Sequence, residues 1–362
     1  ASSGHGFSGL GRLKLLQILQ QRATELGVGV RFQTEDAGLA AHREADLIVG
    51  ADGINSAVRN ALKAELGATV EMRPNRFVWF GAKMTLPGFT YSFRENEHGI
   101  WNLHTYMYSQ GECTFLVETT DDAFKAAGLE VENEERSATY IERVFAEELH
   151  GTRLGDAAHT AHWSIGSGTK LALEDAIALH QAVTRHPADA RAALRAYESE
   201  RRPEAERIQH SANTSLVFFE NVRRFWHMEP VQFNFALMSR SKQITYENLR
   251  KRDAGVIQEV DGWWAKHVAA EERIKLPRDF KAPPPLFSPF HLRDMHVQNR
   301  VVVSPMCQYC AVDGTPTDWH FVHYGSRAVG GAGLMFTEMT CVAPDARITP
   351  GCTGLYAPEH VA

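Results

Sequence analysis

Five prolines, Pro277, Pro283, Pro284, Pro285 and Pro289, fall within thirteen residues. Each lacks a backbone N–H and fixes φ, so neither a helix nor a central strand can run through this segment. The chain has to divide here, and the segment reads as a linker or as the extended entry to a new domain. A length of 362 residues, at roughly 150 per domain, also gives two. The expected boundaries are 1–276, 277–289 and 290–362.

Composition excludes several classes. A net charge of -6 with 44% hydrophobic and 23% charged residues describes an ordinary globular protein. It leaves no basic footprint for nucleic acid or an anionic membrane. No run approaches eighteen apolar residues, and Ala1 to Leu10 lack the basic-then-apolar order of a secretory leader, so a cytoplasmic location is the default expectation. The chain opens on Ala1 and closes on Glu359-His360-Val361-Ala362, and both ends read as cuts.

Leu13, Leu16, Leu19, Ala23 and Leu26 recur at helical spacing before Gly27, which predicts an amphipathic helix over Arg12 to Leu26. Val28 to Phe32 and Ala45 to Gly50 read as strands, the second running into a turn and then a helix from about Ala57 to Leu66. These are the ingredients of an α/β layer. Four short runs rich in Phe, Tyr, Trp, Thr and Val follow at 77–84, 89–94, 100–108 and 114–118. Turn residues separate them, so they predict an antiparallel lobe. Helices are expected over Asp121 to Leu149, Lys170 to Val183, Asp189 to Ser211 and Ile257 to Arg273, with Thr214 to Phe235 as aromatic packing surface. Beyond the prolines come a strand at Arg300 to Val303, a helix at Trp319 to Val329 and a strand at Ala332 to Thr337.

Gly4-His5-Gly6-Phe7-Ser8-Gly9 has the letters of a dinucleotide loop, with Glu35 in the position of its ribose acid. Only Ala1, Ser2 and Ser3 stand before it where the motif calls for a strand, and it reads as a flexible approach to the first helix rather than a phosphate loop. Asp52-Gly53 ends an apolar run where a parallel sheet carries its ligands, and Arg59 stands two helical turns on. Asp52 is equally suited to holding its own turn. Gly155-Asp156-Ala157-Ala158-His159-Thr160 and Gly166-Ser167-Gly168 permit close backbone approach to a flat or phosphorylated ligand. His159 and His162 read as structural. Cys307-x-x-Cys310, with Cys341 and Cys352 as singletons, is half of a zinc motif. Free thiols, one of them reactive, and no metal are expected.

Ala51-Asp52-Gly53-x-x-Ser56-x-x-Arg59 and Gly155 to Thr160 resemble the two later fingerprints of single-component flavoprotein aromatic hydroxylases. Asn299 to Tyr309, Asp318-Trp319-His320, Ser326-Arg327-Ala328 and Thr337-Glu338 resemble the opening of old yellow enzyme proteins of the thiophilic branch. A hydroxylase module followed by such a module resembles the fused aromatic acyl-CoA monooxygenase/reductases, and Asp156 to Lys170 fits that group better than generic hydroxylases.

The resemblance implies a partial FAD-binding α/β hydroxylase fold with an antiparallel substrate lobe, followed by an incomplete TIM barrel. Only 74 residues follow Ser288, against about 250 for a complete barrel. It implies FAD contacts from Arg12, Asp52, Gly53, Arg59, Gly155, Asp156, Gly166 and Gly168. For FMN it implies Ser304, Pro305, Met306, Cys307 and Met339, with Cys307 modulating the flavin and Tyr309 facing substrate. The implied reaction is hydroxylation of an aromatic acyl-CoA thioester with O2 and NAD(P)H, in a protein compatible with a homodimer. A generic aromatic hydroxylase or ene-reductase and a catalytically incomplete chain are the alternatives.

Overall fold

The computed structural model describes residues 9–35, 38–130, 133–155 and 168–361. They form two compact units that divide between Thr245 and Tyr246.

The first unit opens with α1 (Arg12–Glu25), ended by Gly27 at φ +76°. Short helices α2 (Ala57–Ala61) and α3 (Lys63–Leu66) follow, with Leu62 interrupting the single helix expected there. The strands expected at 28–32 and 45–50 do not form. An apolar run becomes a strand only where a neighbour completes its ladder, and these runs pair with no strand among the described residues. Their side chains are open to solvent, Phe32 at 62% and Val49 at 60%.

The antiparallel lobe forms as expected. Strands β1 (Asn75–Ala82), β2 (Thr90–Asn96), β3 (Gly99–Ser109) and β4 (Glu112–Thr120) precede α4 (Asp121–Ala126), α5 (Glu134–Val144) and α6 (Ala146–Leu149). The two-residue strand β5 (Leu154–Gly155) returns beside β1, completing the order β2-β3-β4-β1-β5. Tight turns set the register: Asn96 faces Gly99, and Gly99 takes φ +146°, where a Cβ would stand 2.9 Å from Ala123 Cβ.

Strand alternation sends two sets of side chains to opposite faces. Trp101, Leu103, Phe115 and Val117 pack with Phe124, Ile141 and Phe145 as the main core. Each such side chain contributes roughly 1.5–3 kcal/mol through burial. The other face carries Tyr91, Phe93, Asn102, His104 and Glu118. It meets α8 (Ala190–Glu220), which follows α7 (Gly168–Arg185), and α9 (Pro230–Ser239). Phe218, Phe219 and Leu237 cover its apolar part, the packing role expected of the aromatic segment.

The second unit contains α10 (Tyr246–Arg252) and α11 (Ala254–Glu271), then hairpin β6 (Phe290–Leu292) and β7 (Met295–Val297). Next come β8 (Val302–Val303), α12 (Asp318–Val329), β9 (Leu334–Met335), β10 (Thr340–Cys341) and β11 (Thr353–Gly354). β8 and β9 are parallel neighbours joined through α12, a βαβ unit, and β10 and β11 are also parallel. Helix α11 is fastened both to the Pro-rich segment and to the chain beyond it. Trp264 donates its indole N–H to Ser288 Oγ at 2.9 Å, and the Arg300 guanidinium lies 4.9 Å from the Trp264 ring. The second unit therefore begins upstream of the Pro-rich segment.

Candidate functional site

In the first unit Asp52 and Arg59 are committed to their own turn. Asp52 accepts the Ser56 hydroxyl and the Val58 N–H, and the Ser56 bond chiefly holds its carboxyl below the usual range. Arg59 donates to the Ile54 carbonyl, and Gly53 supplies the left-handed φ of +80° that the turn requires. Arg12 opens α1, Gly155 ends β5 and Gly168 starts α7. The stretch 156–167, with Asp156, His159, His162 and Gly166, lies outside the described residues, as does nearly all of Gly4 to Gly9.

Sequence reading assigned no role to the polar side of the sheet, which the structure assembles from four elements. Tyr91 on β2 lies opposite His104 on β3, and Glu118 on β4 opposite Asn102. Asn75 donates to Glu118 Oε1 at 2.8 Å. Burial of Glu118 is the main cause lifting its carboxyl from 4.5 to about 7. His104 stands 3.9 Å from Glu118, yet burial pushes its pKa well down, so the pair is a neutral imidazole beside an acid rather than an ion pair. From the end of α9, Arg240 donates to Ser215 Oγ at 2.9 Å, to the Leu237 carbonyl at 2.7 Å and to the Tyr91 hydroxyl at 2.8 Å. Next to this group is a cleft of about 530 Å³ lined by Phe89, Thr90, Tyr91, Asn234, Leu237, Met238 and Arg240. Tyr91 reveals itself in sequence only as one more aromatic strand residue.

In the second unit the residues expected at FMN lie on the loops that follow two neighbouring parallel strands. Ser304 to Cys307 follow β8 and Met339 follows β9. Both segments leave the carboxyl ends of parallel strands, the edge where α/β folds place ligands. Ser304, Pro305 and Met306 are exposed there, while Cys307 and Met339 are half-buried. Tyr309 is 49% exposed, and its neighbour Cys307 is the first cause raising the phenol pKa.

The residue that ties these loops is Glu338, a position without a role in the sequence reading. Its Oε2 accepts the Gln308 N–H at 2.6 Å, and its own N–H donates to the Tyr324 hydroxyl at 2.8 Å. His320 Nδ1 accepts the Thr317 N–H at 2.9 Å, which leaves Nε2 as the protonated nitrogen, 2.6 Å from Glu338 Oε1. That oxygen makes no hydrogen bond of good angle, so the contact is close but imperfectly aligned. A carboxylate buried between two loops in this way sets their spacing. The five cysteines are free, and no group containing one has the geometry of a metal site among the described residues.

Comparison with known proteins gives two kinds of relative. The NADH:flavin oxidoreductase / NADH oxidase family matches residues 285–362. There the chain is 45% identical over 78 residues to an NADPH dehydrogenase of Geobacillus sp. (strain WCH70), covering 21% of this chain and 23% of that protein. A salicyloyl-CoA 5-hydroxylase of a Streptomyces species is 36% identical over 300 residues, 73% of this chain but 58% of the relative's own length. A 3-hydroxy-4-methyl-anthranilyl-[aryl-carrier protein] 5-monooxygenase of Streptosporangium sibiricum is 33% identical over 265 residues, covering 68% of this chain and 72% of that protein. The chain belongs to the flavin-dependent monooxygenases related to salicyloyl-CoA and aryl-carrier-protein hydroxylases, and carries a separate C-terminal segment of NADH:flavin oxidoreductase type.

Proposed function

We propose that the protein takes part in FAD-dependent hydroxylation of an aromatic ring carried as an acyl-CoA thioester, salicylyl-CoA or anthraniloyl-CoA, with O2 and NAD(P)H as co-substrates. On this reading the hydroxylase sequence runs through residue 276, its last part from Tyr246 onward packing in the second unit, 277–289 are the linker and 290–362 the beginning of an FMN-binding barrel. The observation that carries it is that one chain holds both similarity to a salicyloyl-CoA hydroxylase over 73% of its length and a segment of NADH:flavin oxidoreductase type at residues 285–362.

The donor set at the β8 and β9 edge fits FMN: exposed backbone from Ser304 to Met306, the half-buried Cys307 thiol, and Met339 beside them. At the Asp52 turn the donors are already satisfied locally, and no step is assigned to Asp52 or Arg59. Bound flavin would supply the redox chemistry and oxygen activation, leaving positioning and exclusion of water to the protein. The cleft beside Tyr91 suits that task, with Phe89, Leu237 and Met238 offering apolar surface to a ring. The Tyr91 hydroxyl accepts from Arg240, so its own hydrogen is available to a substrate oxygen, and burial keeps the phenol protonated.

Flavin content measured by absorbance and chromatography, followed by product analysis with each thioester and with the free acids, tests this reading. Bound flavin and NAD(P)H-dependent ring hydroxylation of a thioester are expected. Equal turnover of free acids would replace it with a generic aromatic hydroxylase, and a flavin-free protein would overturn catalysis by this chain.

A further inference from the structure

We propose that Glu272, His291 and His296 form a binding site for a divalent transition metal such as Zn²⁺, which clips the hairpin β6–β7 to the end of α11. His291 and His296 are directly opposed across the hairpin, which places both side chains on one face. Glu272 caps α11. His291 Nδ1 stands 3.1 Å from Glu272 Oε1, and His296 Nδ1 stands 3.4 Å from Glu272 Oε2. The donor atoms of the three residues all lie within 4.8 Å of one another. Zinc takes imidazole nitrogen and carboxylate oxygen at about 2.0–2.2 Å, so the edges of a tetrahedral site are about 3.3–3.6 Å. The two nitrogen–oxygen separations, one to each oxygen of Glu272, are close to that spacing, and the 4.8 Å bound on the whole set leaves a short inward movement for a metal to make.

Two further features suit a metal. Both rings turn Nδ1 to the same carboxylate. Glu272 is buried to 11% exposure while the histidines remain 44% and 63% exposed, so one side is anchored and the other is open to a water ligand. Two imidazoles and one carboxylate select borderline cations such as Zn²⁺ or Co²⁺ over Mg²⁺ or Ca²⁺. The metal would close the loop that contains the Pro-rich segment, and Arg273, Lys275, Arg278 and Lys281 make that loop a target for trypsin.

The full chain, without an affinity tag and stripped with chelator, is titrated with Zn²⁺ and separately with Co²⁺. One equivalent should bind with visible Co²⁺ bands, and zinc should slow tryptic cleavage between Arg273 and Lys281. His291→Ala and His296→Ala should each weaken binding by more than about tenfold, as should the shape-conserving Glu272→Gln. Failure to bind, uptake unchanged in the double histidine variant, or cleavage unaffected by zinc would overturn the assignment. Retained uptake in the double variant would place the metal elsewhere, with the cysteines as the alternative donors.

Discussion

At the scale of single residues the least expected feature is Glu118, an acid held at about 7 by burial. Asn75 donates to one oxygen, His104 lies opposite the other, Arg240 acts at longer range to favour the charged form and Glu220 to disfavour it. Its folded pKa exceeds its ordinary 4.5, so the native state binds the proton more tightly than the unfolded chain. Stability contributed by this group is therefore complete below about pH 4.5 and is lost as pH rises through about 7. Glu118→Gln should leave stability near pH 4 unchanged and raise it near pH 8, by up to about 3 kcal/mol. Urea titrations at both pH values check this; equal shifts at the two would refute it.

At the scale of elements the β8–α12–β9 unit depends on one close approach. Gly333 donates its N–H to the Val301 carbonyl and to Asn299 Oδ1, and a Cβ there would stand 2.1 Å from the Asn299 carbonyl oxygen. Backbone cannot yield as a side-chain tip can, so Gly333→Ala should separate the two strands and cost at least about 1–3 kcal/mol. Loss of hydrogen-exchange protection at Leu334 and Phe336, which donate to Val301 and Val303, is the expected signature. In the first unit the sheet depends on Phe145, fully buried and edge-on to Phe115 at 5.9 Å. Phe145→Ala should cost about 3–5 kcal/mol, read from denaturant unfolding. A change below about 1 kcal/mol would show that the helices contribute little to the core.

At the scale of the whole molecule, no helix among the described residues is long and apolar enough to cross a membrane. Local patterns carried most of the architecture. Aromatic and β-branched runs between turn residues announced β1 to β4, apolar spacing announced α1 and α11, and the prolines marked a break in regular structure. What failed was the pair of strands at 28–32 and 45–50, since an apolar run has no strand character without a partner to bond. The strand at 300–303 and the helix at 319–329 that position the loops of the second unit were legible from local pattern. Tyr91, Arg240, Glu118 and Glu338 were not, because a lone aromatic, arginine or glutamate has no local signature. Sequence by itself determined which segments are helices or hairpins, through propensity, turn residues and periodicity acting within a few residues. Only tertiary structure decided that Tyr91 meets Arg240, that Asn75 meets Glu118, and that Glu272 meets two histidines. Those meetings depend on which faces pack, and packing joins residues that the chain holds far apart.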